Sequence, residues 1–140
     1  MNADVACVFC AIARGELPAT IVSRSPSHCA FLDQRPVFKG HVLVIPVPHV
    51  RDLGELPPER VGPFFNEVRR LARAVERGLG AEGSLVLANN KVSQSVAHLH
   101  VHVIPRHKGD GLRGFLWPRH SYDSDSERSE FAERIRGALE

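Results

Sequence analysis

The stretch Val96-Ala97-His98-Leu99-His100-Val101-His102-Val103-Ile104 carries histidine at every second position. With His107, it puts four of the chain's eight histidines within ten residues. Imidazole changes protonation near neutral pH, ligates metals through a neutral nitrogen and attacks electrophiles as a nucleophile. The residues between, Leu99, Val101 and Val103, are apolar and mostly β-branched, and this alternation predicts a half-buried strand over 97–104. All three histidines then share one face, about 6.6 Å apart along it, two strand rises per step. Such a row can hold a metal, bind phosphate or do covalent chemistry.

A second group lies near the N-terminus, where Cys7-Val8-Phe9-Cys10 forms a Cys-x-x-Cys pair. Zinc takes four cysteine and histidine ligands in a tetrahedron, and one tight turn with this spacing supplies two of them. The others must come from distant histidines: His49 just past "HVLVIPV", one or more of the triad, or none if the cysteines are simply buried. A thioredoxin-like redox role fits less well, because that motif follows a strand of a βαβ unit and only six residues precede Cys7. Cys29, inside an apolar run, reads as core.

The elements that must position these groups follow from periodicity and punctuation. "VFCAIARGEL" (8–17) predicts a short helix ending near Gly15, with Pro18 beyond it. "ATIVSR" (19–24), "HCAFLD" (28–33) and "HVLVIPV" (41–47) predict strands between turn-forming stretches. Val61, Phe64, Phe65, Val68, Leu71, Ala72, Val75 and Leu79 recur at three and four, predicting a long helix after Pro57 and Pro58. Pro63 is expected to kink that helix or delay its start. "SLVLAN" (84–89) is a further strand before the histidine strand. A last helix is expected over 126–139, capped by Ser124 or Ser126, with Phe131, Ile135, Ala138 and Leu139 on one face. Strands joined by short turns and covered by one long helix make an α+β domain with an antiparallel sheet.

A chain of 140 residues with 43% apolar content reads as one domain able to bury a core. A net charge of +2 with no basic block argues for neither nucleic acid nor membrane as partner. "MNADVACVFC" has no cationic start followed by an apolar run, and no 18 consecutive apolar residues occur, so a soluble cytoplasmic protein is expected. Three cysteines, an odd number, fit a reducing compartment.

The residues also carry a family resemblance. His98-Leu99-His100-Val101-His102-Val103-Ile104 resembles the His-x-His-x-His-x-x signature of the histidine triad family of nucleotide hydrolases and transferases. "CVFCAIARGELPA" is similar to that family's N-terminal helix, "FLDQRPVFKGHVLVIPVPH" to its second and third strands, and "QSVAHLHVHVIPR" to its signature strand. The resemblance spans about residues 5–107, leaving 108–140 as an extension within a single domain, 1–140. It implies a five-stranded antiparallel sheet with a long and a short helix, two sheets joining in a homodimer.

The resemblance implies a chemistry residue by residue. His100 would attack the α-phosphorus of a nucleotide, forming a nucleotidyl-histidine that water hydrolyses, while the backbone carbonyl of His98 fixes its tautomer. His102 and Ser95, with Gln94 before it, would face the phosphate oxygens and leaving group, and Asn89 the phosphate side. Asp33 would accept from the ribose hydroxyls, with Val8, Phe9 and Phe31 around the base of a purine nucleotide, adenine above all. Zinc-containing bacterial members imply Cys7, Cys10, His49 and His98 as ligands of a structural zinc, leaving the second His98 nitrogen able to serve phosphate or leaving group. The substrate would be a nucleotidyl phosphoramidate or a dinucleoside polyphosphate; the alternative is a non-catalytic, zinc-stabilised nucleotide-binding protein.

The sequence also departs from better-known hydrolases of this group. The turn "NNKVSQS" is about two residues shorter than their loop and lacks glycine, and Val47 and Pro48 stand where basic residues are common. The segment "GDGLRGFLWPR" (109–119) combines glycines with apolar residues too numerous to be left in water. It is expected to pack on its own sheet or to border a partner's leaving-group site, with Trp117, Arg113 and Arg119 facing it.

Overall fold

The structure is a computed structural model that describes residues 6–113 and 118–140. The chain divides into two compact units, one running to Asp110 and the other from Gly111 onward. In the first unit a short helix α1 (Val8–Ala13) precedes strands β1 (Ile21–Arg24), β2 (His28–Leu32) and β3 (Val42–Pro46). A 3-10 turn (Leu53–Glu55), the long helix α2 (Pro58–Leu79), β4 (Gly83–Leu87) and β5 (Val101–Arg106) follow. The five strands form one antiparallel sheet in the order β1-β2-β3-β5-β4.

Both faces of this sheet are covered, which explains the nearly unbroken apolar runs of β2 and β3. Ala30, Val42, Val44, Val101 and Val103 pack toward Phe64, Val68, Leu71 and Val75 of α2. Cys29, Phe31, Leu43 and Ile45 point the other way, onto Phe9 and Ile12 of α1. Period-two alternation therefore sends Val101 and Val103 to the α2 side and His102 to the α1 side, where Leu43 stands opposite it in the ladder. Leu79, Val61 and Phe65, expected on the packed face of α2, remain 51%, 38% and 37% exposed. The helix starts at Pro58 and runs through Pro63, so Pro63 does not delay it. Gly80 ends it with a left-handed backbone, φ 63°.

Element boundaries differ from expectation where a ladder partner is missing. The histidine strand pairs only from Val101, not from Ala97, because β3 ends at Pro46, a residue with no N–H to donate. Ahead of Val101 the Leu99 N–H donates to Val50 O at 2.8 Å in place of a ladder bond. The second unit holds helix α3 (Asp125–Gly137), whose start is fixed by Ser124 accepting from the Glu127 N–H at 3.0 Å. Its expected apolar face is not buried: Phe131, Ile135 and Leu139 are 45%, 65% and 74% exposed. Trp117 lies outside the described residues. Among the described residues no helix is long and apolar enough to cross a membrane.

Candidate functional site

The middle histidine is buried, 3% exposed, with its ring set edge-on to Phe9 at a centroid distance of 5.1 Å. His100 Nδ1 lies 2.7 Å from the backbone oxygen of His98. A carbonyl only accepts, so Nδ1 carries the proton and Nε2 keeps its lone pair. His100 also lines a cavity of about 420 Å³ between α1 and the sheet, together with His102, Ser95, Asp33, Phe9 and Phe31. An imidazole whose Nδ1 proton is held by a carbonyl, at a cavity wall, is the arrangement a nucleophile needs.

His102 is oriented by a residue that sequence reading did not single out. The Val37 N–H donates to His41 Nδ1 at 3.1 Å, which leaves His41 Nε2 as the protonated nitrogen. That nitrogen lies 2.9 Å from His102 Nδ1, so His102 accepts there and carries its own proton on Nε2. Burial, the neighbouring His100 and His41 push His102 down to about 4, the Asp33 carboxylate opposing them; burial lowers His41 as well, again against Asp33. Both rings are thus neutral at pH 7, and one backbone N–H fixes two tautomers in series. The signal for His41 was present: a polar residue at the head of an otherwise apolar strand, 3% exposed in the fold.

Asp33, His41 and His102 bring three potential ligand atoms within 4.8 Å of one another. The hydrogen-bond polarity suits a relay and not a metal, since His41 Nε2 must hold its proton while Nδ1 accepts from Val37.

The Cys-x-x-Cys pair meets His49 and His98 on the far side of Phe9. Ligand atoms of Cys7, Cys10, His49 and His98 all lie within 4.8 Å of one another. The Sγ–Nδ1 separations are 3.4 Å for Cys7 to His98, 3.3 Å for Cys10 to His49 and 3.5 Å for Cys10 to His98. A tetrahedral zinc with bonds of about 2.3 Å to sulfur and about 2.0–2.1 Å to nitrogen has sulfur–nitrogen edges of about 3.5 Å, so the donor set fits that ion. His98 is 1% exposed, and its Nε2 lies 2.9 Å from Pro46 O, the outer hydrogen bond that orients a ligating imidazole. That contact corrects one expectation: the second His98 nitrogen is committed to Pro46 and does not line the cavity. The His98 backbone serves His100 instead.

The remaining expected residues divide. Val8, Phe9, Phe31, Asp33 and Ser95 all line the cavity, and Asp33 Oδ1 accepts from the Arg35 N–H at 2.9 Å. Asn89 and Gln94 do not line it. Asn89 Nδ2 donates to Ser93 O at 3.1 Å, while Gln94 accepts from the Lys91 N–H at 3.0 Å and donates to Arg51 O at 2.6 Å. These amides brace a glycine-free loop in which Lys91 and Ser93 sit at φ 71° and 58°. Ile12, Leu17, Pro18, Ala19, Leu32, Gln34 and Leu43 complete the cavity wall, none of them singled out from sequence as site residues.

The HIT domain family model matches residues 14–109, most of the chain. The chain belongs to the HIT family. Protein hit of Bacillus subtilis is 40% identical over 124 residues, covering 86% of this chain and 85% of the relative. An adenylylsulfatase of Arabidopsis thaliana is 34% identical over 140 residues, 95% of this chain and 69% of the relative. An adenosine 5'-monophosphoramidase of Schizosaccharomyces pombe is 34% identical over 116 residues, 81% and 84% of the two chains. The crystal structure of a HIT family member from Bacillus subtilis superposes with a TM-score of 0.87 at 36% identity, covering 96% of this chain and 98% of that one. A Zn-bound histidine triad family protein from Mycobacterium smegmatis has a TM-score of 0.73 at 36% identity, covering 97% and 99%. The sequence resemblance and the α+β fold expected of a HIT protein are thus both borne out.

Proposed function

We propose that this HIT protein is a nucleotide hydrolase acting on an adenine nucleotide, cleaving the bond between the α-phosphorus and its leaving group through a nucleotidyl intermediate on His100. The observation that carries this reading is the His100 tautomer: Nδ1–H held by the His98 carbonyl at 2.7 Å, with the Nε2 lone pair at the cavity. His100 Nε2 attacks phosphorus as the bond to the leaving group breaks; the leaving group departs accepting a hydrogen bond from His102 Nε2–H and takes its proton from solvent. Water then attacks phosphorus, the phosphorus–nitrogen bond breaks to return the lone pair to His100 Nε2, and the proton that water gives up passes to solvent. Ser95 faces the phosphate oxygens, Asp33 accepts from the ribose hydroxyls, and Phe9, Phe31 and Val8 enclose the base. Relatives described as an adenosine 5'-monophosphoramidase and an adenylylsulfatase favour a phosphoramidate or a mixed anhydride over a dinucleoside polyphosphate as substrate.

Cys7, Cys10, His49 and His98 would hold one zinc per chain. All four positions are protein ligands, so such an ion supplies structure and no Lewis acidity to the reaction. The reading includes a cytoplasmic location, where the thiols stay reduced, and a homodimer joined along β4, the sheet edge that exposes Val86. Light scattering of the purified chain tests the dimer.

The catalytic reading is tested by offering adenosine 5'-phosphoramidate labelled in the nucleotide and quenching the reaction by denaturation at alkaline pH. Label is expected on His100, and His100→Ala is expected to lose turnover by at least about 10³-fold while still binding AMP. Turnover within tenfold of wild type in that variant would overturn the assignment. Wild-type protein that binds AMP but turns over neither phosphoramidate nor adenylyl sulfate would favour the binding-protein alternative.

A further inference from the structure

The cavity wall takes its polar groups from two chain segments: His100, His102 and Ser95 come from the histidine stretch and the loop before it, Asp33 and Gln34 from the chain leaving β2. Asp33 Oδ2 is 3.8 Å from the His41 ring nitrogen that bonds His102. Ile21 pairs with Phe31, and the Leu32 N–H donates to Thr20 O at 3.0 Å, so the end of β2 runs antiparallel to the segment that leads into β1, from which Leu17, Pro18 and Ala19 line the same cavity. A nucleoside 5'-phosphate with phosphorus at His100 and ribose at Asp33 would carry its base on toward Gln34, the next residue along, and these apolar residues.

The other described polar side chains of the cavity wall are Asp33, Ser95, His100 and His102, and none of them is an amide. Asp33 is a carboxylate and only accepts; the apolar residues offer no hydrogen bond. The amides of the neighbouring loop are tied down: Asn89 to Ser93 O, Asn90 to the Leu53 N–H, Gln94 to Lys91 and Arg51. Gln34 is exposed at the rim, its amide makes no hydrogen bond to the described residues, and it is the one side-chain amide among the described residues that line the cavity.

We propose that Gln34 is the base-reading residue of this site, its side-chain carbonyl accepting from the 6-amino group of adenine while its amide N–H₂ donates to a ring nitrogen. This rests on the nucleotide reading above, and it is a statement about selectivity: the apolar slot holds any flat base, and the amide edge chooses. Paired donor and acceptor on one planar amide match the adenine edge, as they do where glutamine reads adenine in nucleic acids. Near solvent, one such pairing discriminates by about 3- to 10-fold.

The test uses binding, so that it does not depend on turnover. Affinities of the whole protein for AMP and for purine riboside 5'-monophosphate, which lacks the 6-amino group, are measured by calorimetry. Wild type is expected to favour AMP by about 3- to 10-fold, and Gln34→Leu to bind the two alike. Gln34→Glu keeps the acceptor, so it is expected to retain the AMP preference and to reject inosine 5'-monophosphate, whose 6-oxo group faces a carboxylate. A wild-type ratio near one, or Gln34→Leu with the wild-type ratio, overturns the proposal while leaving the hydrolase reading intact. Absence of any mononucleotide binding overturns both.

Discussion

His98 shows how much one residue of the triad does without touching a substrate. Its Nδ1 faces the two cysteines, its Nε2 meets Pro46 O, and its backbone oxygen fixes the proton of His100. The spacing of the histidines made a shared face legible in the sequence, and the family resemblance gave His98 its place beside the cysteines and its carbonyl role, but neither gave the Nε2 contact to Pro46 O, which depends on where β3 ends. His41 stood out in the sequence only as a polar residue at the head of an apolar strand; its role was not legible, because it is 61 residues from its partner His102 and no local pattern reports so distant a contact. Its role gives a residue-scale prediction. His41→Leu removes the donor to His102 Nδ1, freeing that ring to adopt the wrong tautomer. Turnover should fall about 10- to 100-fold, as when an outer partner of a functional imidazole is lost. His41→Gln sets an amide near the original Nε2 and should recover most of the rate. On the proposed mechanism, in which His102 donates a hydrogen bond to the leaving group, the loss should be larger for a poor leaving group than for a good one. Equal losses for His41→Leu and His41→Gln across leaving groups would reduce His41 to a packing residue.

At the scale of elements, α1 joins the cysteine–histidine quartet to the wall of the cavity. Its six residues are too few to hold a helix alone, and its start is set by Cys7, whose Sγ accepts from the Cys10 N–H at 3.4 Å. The same turn and a half carries Cys10 toward His49 and Phe9 between Phe31 and His100. The short helix and its cysteine spacing were readable from sequence because Gly15 and Pro18 punctuate its end. The histidine strand's first paired residue was not, since it depends on a proline in another strand. We therefore expect that a zinc-loaded protein stripped by a strong chelator loses thermal midpoint, by at least about 5 °C, because metal binding in such sites is folding free energy. Cys7→Ser should behave like the stripped protein. AMP affinity should fall with it, since α1 then no longer holds Phe9 against the cavity. An unchanged midpoint after complete metal removal would show that Phe9 and Ile12 alone secure this helix.

Across the whole first unit, the sheet is buried on both faces, and polar groups enclosed with it must be neutral or paired. Three histidines carry that constraint: His28, His41 and His102 are all held below the ordinary imidazole value, first of all by burial. His28 is the one remote from both the cavity and the cysteines. It joins the β1–β2 turn to α2, with Ser25 Oγ 2.8 Å from Nδ1, Ser23 Oγ 3.0 Å from Nε2 and a Glu67 carboxylate oxygen 3.4 Å from Nε2. Glu67 partly offsets the burial, and Arg70, paired with Glu67, adds to it. A histidine whose folded value is depressed binds fewer protons folded than unfolded between the two values. Stability is then full above the unfolded value, 6.5, and declines as pH falls toward the folded one, about 4 for His102. The urea midpoint should therefore drop between pH 7 and pH 5. His28→Gln, which keeps a polar group there but cannot titrate, should start lower at pH 7 through its poorer packing and decline less on acidification. Metal loss in acid affects both proteins and cancels in the comparison. Parallel declines in the two would mean that His28 meets its proton equally well folded and unfolded, and that the acid sensitivity lies with the cysteine–histidine quartet and the His41–His102 pair alone.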